Sequence, residues 1–248
     1  MRLYQFPFSH FCEKASWALQ YCGISFEKED LMPMFHLVTT MPKSGQSSVP
    51  VLQYEGKILS GSSAIIDFAI EHSGSTLLQP KGMSESESQH FEKMLDKQIG
   101  RPMQTLVYQA LLQSPEGIVD LWSKNFFFAT LYRIGFSAVE QILSSGYDIN
   151  PYGVANAHNK LTICLQRLDK IFASQAYITG DQFSRLDLTM SALLYPLAYL
   201  RDTSRAMPEI PDSLQDMMQP LFDKYKNYHT LDKVQEFYQK YRKPTSAS

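Results

Sequence analysis

The segment Ser9-His10-Phe11-Cys12 joins a short apolar stretch, residues 3–8, to a stretch with helical spacing, residues 12–21. Free amides at a helix N-terminus attract an anion, and a hydroxyl just before them can cap the helix. A Val49-Pro50 pair follows later in the same unit. Only X-Pro bonds adopt the cis form at low cost, and such a turn can present the preceding residue's backbone to an extended peptide. We therefore expect a small α/β unit whose first helix N-terminus and proline turn form a thiolate site for a peptide-like thiol.

The remaining residues of this first unit support that expectation. Glu55-Gly56 has the form of a two-residue hairpin turn, because glycine tolerates a positive φ. Ser62 is expected to cap a helix that ends at about His72. The predicted strands are residues 3–8, 24–29, 49–54 and 57–60. The element order is βαβαββα.

This order resembles the thioredoxin-like domain of the cytosolic glutathione transferases. The residues that carry the resemblance are Ser9-x-x-Cys12, Val49-Pro50-Val51-Leu52 and Ser62-x-Ala64-Ile65. A later segment, Phe183-Ser184-Arg185-Leu186-Asp187-Leu188, is similar to the capping segment of that family's helical domain, and its Ser and Asp have capping-box spacing. The resemblance implies an α/β thioredoxin-like domain followed by an all-α helical bundle domain, in a serine-type or atypical class.

Gly74, Pro80, Gly82 and several serines interrupt the pattern and indicate a domain boundary. We predict a thioredoxin-like glutathione-binding domain over residues 1–76, a linker over 77–88 and an all-helical C-terminal domain over 89–248. The predicted helices of the second domain are residues 91–112, with a kink or break at Pro102, then 116–143, 154–173, 188–200, 214–225 and 231–241. The fourth of these is almost wholly apolar and is expected to be the buried central helix.

Composition excludes several classes of protein. The chain is 44% hydrophobic and 19% charged, which is ordinary for a globular chain of 248 residues. A net charge of -2 argues against a nucleic-acid partner. No apolar run is long enough for a membrane span, and no signal peptide is evident. Three cysteines indicate free thiols in a reducing compartment, and no zinc spacing is present. We expect a cytoplasmic protein with no metal and no membrane partner.

The resemblance implies glutathione as co-substrate, whose thiolate is the reactive form. In the serine-type classes the catalytic hydroxyl stands at the position of Ser9, so Ser9 is either this hydroxyl or only a helix cap. Cys12 is either a second catalytic candidate, for thiol exchange, or a small buried hydrophobe. His10 is either a group that tunes these thiols within the glutathione site or a solvated loop histidine.

The resemblance also implies the other glutathione contacts. The backbone of Val49, before a cis Pro50, would pair with the cysteinyl moiety. Ser62 and Ser63 would meet the γ-glutamyl carboxylate at a helix start. Gly61 departs from the family pattern, because many members carry there an acidic residue or Gln that meets the ligand's ammonium group.

A second substrate is expected against the first helices of the bundle, with Tyr108 as a wall of its pocket. We expect most of the aromatic residues at 122 and 126–128 to lie in the core. Arg101 and Arg133 would meet an acidic electrophile or form surface ion pairs.

These observations predict a glutathione transferase of the detoxification type, which activates glutathione through Ser9 for attack on a small apolar electrophilic or peroxidic substrate. Two alternatives stay open: a non-catalytic binding or scaffold protein with this fold, and a glutathione-dependent thiol transferase that uses Cys12. The resemblance implies a homodimer in which the first domain of one subunit contacts the helical domain of the other.

Overall fold

The computed structural model describes residues 1–74, 76, 78–123, 125–199 and 212–242. An α/β unit with a four-stranded mixed sheet comes first, and a mostly helical region follows it. The predicted fold class, a thioredoxin-like domain followed by a helical domain, is confirmed. No helix in the described ranges has both the length and the apolarity to cross a membrane.

The sheet has the strand order β2-β1-β3-β4, with β1 parallel to β2 and the other pairs antiparallel. Its core is formed by residues such as Leu3 and Leu52, which face each other across β1 and β3 and have no exposed surface. The strands are β1 (Arg2–Gln5), β2 (Glu27–Asp30), β3 (Val51–Tyr54) and β4 (Lys57–Ser60). The helices of this unit are α1 (His10–Tyr21), α2 (Leu37–Ser44) and α3 (Ser62–Ser73).

The helical region packs around one central helix, α10 (Arg185–Ala198), in which every residue is buried. The prediction of a buried central helix is thus confirmed, although its predicted end, Leu200, lies outside the described residues. The preceding helices are α4 (Glu85–Leu95), α5 (Arg101–Leu111), α6 (Pro115–Trp122), α7 (Phe126–Ile134), α8 (Phe136–Gly146) and α9 (Pro151–Phe172), and those that follow are α11 (Asp212–Tyr225) and α12 (His229–Tyr241). The predicted linker, 77–88, includes the first turn of α4, and its boundaries stay a prediction.

The structure corrects several predicted element boundaries. β1 ends at Gln5, before Pro7, because proline cannot donate to a strand ladder. The single helix predicted over 116–143 is wrong, since three helices occupy this stretch. Asn125 starts α7 by accepting hydrogen bonds from the amides of residues 127 and 128, and Gly135 separates α7 from α8. Amphipathic spacing continues across both breaks, so periodicity alone does not reveal them.

Helices α4 and α5 form one continuous run, joined by a π-helical turn over Asp96–Gly100. Pro102 was expected to kink or break this run, because its ring clashes with the carbonyl four residues earlier. A π turn, which inserts one residue into a helix, ends at Gly100, and Pro102 lies in the first turn of α5. The run therefore continues through the proline.

A buried ionic cluster joins the α/β unit to the helical region. Lys14 Nζ lies 2.7 Å from Glu92 Oε1 and 2.8 Å from Asp96 Oδ1, and the side chains of Lys14 and Glu92 are 0% and 1% exposed. Arg185 Nη2 approaches the other oxygen of Glu92 at 2.5 Å and Asp67 at 2.7 Å. Burial acts to raise the pKa of Glu92, but Lys14 and Arg185 outweigh it and hold that pKa below its usual value.

Replacing Lys14 by methionine should strongly destabilise the fold, because Asp96 would lose its cation and the buried Glu92 would lose one of its two cations. We expect the free energy of unfolding in urea to fall by about 3–5 kcal/mol. The matched control is Lys81→Met, which removes an exposed pair with Asp181 at 3.7 Å and should cost less than about 1 kcal/mol. Equal losses in the two variants would contradict a structural role for the cluster.

Candidate functional site

A cleft of about 990 Å³ lies between the α/β unit and the helical region. One wall is formed by the start of α1, by the residues around Val49-Pro50 and by the start of α3. The opposite wall is formed by α5, α6 and α8. Of the predicted site residues, the cleft lining contains Ser9, His10, Val49, Pro50, Ser62, Ser63 and Tyr108. Cys12 does not line it.

Ser9 is the N-cap of α1. Its Oγ accepts a hydrogen bond from the Cys12 amide at 3.4 Å, and its own amide donates to the Phe6 carbonyl at 3.1 Å. The hydroxyl is thus held at the helix N-terminus, at a residue that lines the cleft. A hydroxyl oxygen that accepts a cap hydrogen bond can still donate its own proton to another group.

Cys12 lies inside the first turn of α1 and is 1% exposed. Burial raises the pKa of its thiol to about 12, although the Ser9 hydroxyl acts in the opposite direction. The thiol is therefore protonated at neutral pH and packs as a small hydrophobe.

His10 is the first residue of α1 and is 5% exposed, so the interpretation of a solvated loop histidine is wrong. Its Nε2–H donates to the carbonyl of Gly100 at 3.1 Å. Burial lowers the pKa of His10 to about 4, which leaves the ring neutral at pH 7. The hydrogen bond ties the start of α1 to the π turn of the helical region.

The Val49-Pro50 bond is cis, as expected from the sequence. The carbonyl of Pro50 accepts a hydrogen bond from the Gly61 amide at 2.9 Å, which places the start of α3 beside this turn. Gly61, rather than Ser62, is the N-cap of α3, and its φ of 91° belongs to a region that side-chain-bearing residues rarely adopt. This backbone geometry accounts for a glycine at position 61.

Ser62 and Ser63 open α3 but differ in what their hydroxyls do. Ser62 is 6% exposed at the first helical position. The Ser63 hydroxyl donates to Glu92 Oε1 at 2.6 Å and accepts from Lys14 Nζ at 3.2 Å, so it belongs to the ionic cluster. Asp96, also in that cluster, lines the cleft at the same place.

The helical wall of the cleft is mainly apolar and aromatic. Tyr108 stacks on Tyr147 with ring centroids 4.3 Å apart and planes within 7° of parallel. Trp122 is buried beside them, as expected, whereas Phe126 and Phe127 are 84% and 64% exposed and do not belong to the core.

Helix α7 contacts the loop before α2. The Tyr132 hydroxyl donates to the Pro33 carbonyl, and Phe35 packs edge-on against Phe128 and Tyr132. Pro33 lines the cleft, so these contacts join α7 to one of its lining segments. Among the residues described, no group of three histidine, cysteine or acidic side chains is placed to hold a metal ion.

Residues 3–76 match the family model of the glutathione S-transferase N-terminal domain. The N-terminal domain is thus similar in sequence to that of the glutathione S-transferases. The resemblance stated from the sequence is thereby confirmed, without its class. No curated protein sequence matches the chain.

Solved structures extend the similarity in fold to the second domain. CsGST63524, a glutathione S-transferase of Ceriporiopsis subvermispora in complex with glutathione, superposes with a TM-score of 0.63 at 16% identity and covers 99% of both chains. The β-etherase LigF of Sphingobium sp. strain SYK-6 gives 0.62 at 16% identity, over 95% of this chain and 98% of its own. Gtt2 of Saccharomyces cerevisiae gives 0.57 at 18% identity, over 94% and 100%. At these identities the likeness concerns the fold alone.

Several residues that line the cleft or lie behind its wall were missed in the sequence. Lys14, Asp96 and Tyr147 have partners far away in the chain, so no local pattern marks them. The one available signal is the spacing of Glu92 and Asp96, four residues apart on one helix face. The roles predicted for Ser9, Cys12 and the glutathione contacts stay predictions.

Alkylation should discriminate among the three free cysteines. With a pKa of about 12, roughly one Cys12 in ten thousand is a thiolate at pH 8, and the buried Cys164 has a pKa of about 11. We expect iodoacetamide to modify the half-buried Cys22 first in the folded protein, as read by peptide mass spectrometry. All three should react in urea. Rapid native labelling of Cys12 would contradict its burial.

Proposed function

We propose that this protein is a glutathione transferase in which Ser9 activates the thiol of glutathione for attack on an apolar electrophilic or peroxidic substrate. The observation that carries the proposal is that Ser9, at the α1 N-terminus, lines one cleft with the cis Val49-Pro50 turn and the start of α3. A structural neighbour of the same fold was solved in complex with glutathione.

The required activation is within reach of this arrangement. Lowering the thiol pKa by about two units needs about 2.7 kcal/mol of preferential stabilisation of the anion. One charge-assisted hydrogen bond from the Ser9 hydroxyl contributes about 1.5–3 kcal/mol. The positive end of α1 adds about 0.3–1 kcal/mol. The thiol proton passes to solvent, and the thiolate then attacks the electrophile.

For binding, we assign the backbone of Val49 to the cysteinyl moiety and the Ser62 and Ser63 amides to the γ-glutamyl carboxylate. Because the Ser63 hydroxyl already forms hydrogen bonds with Glu92 and Lys14, we assign the backbone amide of Ser63 to the ligand. With glycine at position 61, Asp96 is the carboxylate at that end of the cleft, and we assign it to the ligand's ammonium group.

The burial of Cys12 and its raised pKa favour this function over a thiol transferase that uses Cys12, because such exchange needs an accessible thiolate. If the protein is instead a non-catalytic scaffold, it should fold normally but show no glutathione-dependent turnover.

A homodimer and a cytoplasmic location are further proposals that follow from the family resemblance. Light scattering during size-exclusion chromatography should give twice the chain mass of 28.4 kDa. A mass that remains that of one chain at all concentrations would remove the dimer from the proposal.

Replacing Ser9 by alanine should reduce kcat/KM for glutathione by about ten- to hundredfold, since one charge-assisted hydrogen bond to the thiolate is lost. The apparent pKa of the bound thiol, read from the pH dependence of kcat/KM, should rise by about one to two units. The parent protein loses activity as pH falls through that pKa, so the variant should lose it at a higher pH.

Ser84→Ala is the matched control, because Ser84 caps α4 through the Glu87 amide at 3.2 Å and does not line the cleft. Both variants should lose about 1 kcal/mol of stability, and only Ser9→Ala should change the pH profile. Unchanged turnover in Ser9→Ala would contradict the proposed role. Absence of glutathione binding by calorimetry in the parent protein would leave the scaffold alternative.

A further inference from the structure

The arginines of the described chain fall into two groups. Those that pair with a carboxylate are Arg2, Arg133, Arg185 and Arg242. Arg101 and Arg167 have no carboxylate within 4.0 Å among the residues that the structure describes, and of these two only Arg101 lines the cleft. Its recorded side-chain hydrogen bond is from Nη1 to Gln104 Oε1 at 3.4 Å. Most of its five donors thus remain available to a ligand.

The fold brings Arg101 close to the start of α1. Gly100 precedes it, and a Cβ on Gly100 would lie 2.5 Å from the ring of Phe11, so a larger residue there would require this ring to shift. The Gly100 carbonyl also holds His10, the neighbour of Ser9. Arg101 is therefore adjacent in sequence to Gly100, the residue through which the helical region contacts the segment that carries Ser9.

The other charged groups of the cleft are already engaged. Asp30 accepts a hydrogen bond from Gln5 Nε2 at 2.8 Å, and Asp96 holds Lys14. His10 is neutral because burial lowers its pKa to about 4. Arg101, by contrast, has no oppositely charged partner among the described residues of the cleft lining. Its side-chain hydrogen bond is to Gln104.

A stacked pair of aromatic rings lines the same cleft as this cation. The stacked pair of Tyr108 and Tyr147 is fixed from behind, because the Thr105 hydroxyl donates to the Tyr147 carbonyl at 2.8 Å. Leu143 and Trp122 continue the apolar wall. A planar ring is the shape that such a surface accommodates, and a guanidinium pairs with a carboxylate through two parallel hydrogen bonds.

We propose that the electrophile of this protein is a planar aromatic compound that carries a carboxylate, with Arg101 binding the carboxylate while the ring lies along the tyrosine pair. This inference rests on the proposed function and deepens it by naming the substrate class. The charge on Arg101 orients the electrophile so that its reactive carbon faces the thiol held by Ser9.

A suitable probe is 4-chloro-3,5-dinitrobenzoate, compared with its carboxamide, which has a similar shape and no charge. The glutathione thiolate adds to the ring carbon that bears chlorine and forms a C–S bond. The C–Cl bond then breaks and its electron pair leaves with chloride. The thiol proton is released to solvent, and no oxidant or reductant is consumed.

The experiment measures kcat/KM for both compounds with the parent protein, Arg101→Gln and Arg101→Lys. We expect the parent to prefer the benzoate, and Arg101→Gln to lose about ten- to hundredfold on the benzoate and less than about threefold on the carboxamide. Arg101→Lys should recover part of the loss, because an ammonium keeps the charge without the bidentate geometry. Arg167→Gln is the control. Arg167 also lacks a carboxylate partner among the described residues but does not line the cleft, so kcat/KM for both compounds should be unchanged.

Three outcomes would overturn the inference, and they are distinguishable. Equal losses on both compounds, with a higher KM for glutathione, would assign Arg101 to glutathione or its thiolate and leave the proposed function intact. No loss on either compound would show that Arg101 contacts neither substrate. No glutathione-dependent turnover of either compound by the parent protein would overturn the proposed function and the inference together.

Discussion

The arrangement of the cleft depends on the buried ammonium group of Lys14. A charge with no exposed surface is tolerated only beside counter-ions, and here these come from Glu92 and Asp96 of the helical region. Two domains that would otherwise slide against each other are therefore held in one register. Hydrophobic contact supplies the driving force for docking of the two domains, but it is not directional and does not fix their relative position. Ion pairs with contacts of 2.7–2.8 Å do fix it, because they form in one alignment of the two surfaces.

The same cluster reaches the cleft through Ser63 and Asp96. The Ser63 hydroxyl donates a hydrogen bond to Glu92. Asp96 lines the cleft and also forms an ion pair with Lys14. Burial raises the pKa of Asp96, an effect that Lys14 opposes. A ligand that contacts Asp96 or the Ser63 amide therefore contacts the network that fixes the domains. A ligand bound at these two residues would therefore be coupled to domain docking.

The sequence predicted the parts of the structure that are encoded locally. Ser9, Ser184 and Asp187 act within one helical turn, and their capping roles follow from spacing alone. The cis bond before Pro50 was likewise predictable from residue type. The breaks around residues 123–125 and at Gly135 were missed because the apolar spacing continues through them. Phe126 and Phe127 were expected in the core, but the helix that they begin turns them outward to solvent.

The cleft was less predictable because its contacts join distant positions. His10 and Gly100, or Lys14 and Glu92, have no relation in sequence that residue type or period reveals. The π turn over Asp96–Gly100 is the sharpest example. It adds one residue to the helical run, which rotates every later side chain by about 100° relative to an uninterrupted α-helix. Asp96, the first residue of the turn, and Arg101, which follows it, both line the cleft; Asp96 pairs with Lys14, and Arg101 is available to a ligand. The turn thus separates the carboxylate that fixes the domains from the guanidinium that we assign to the electrophile.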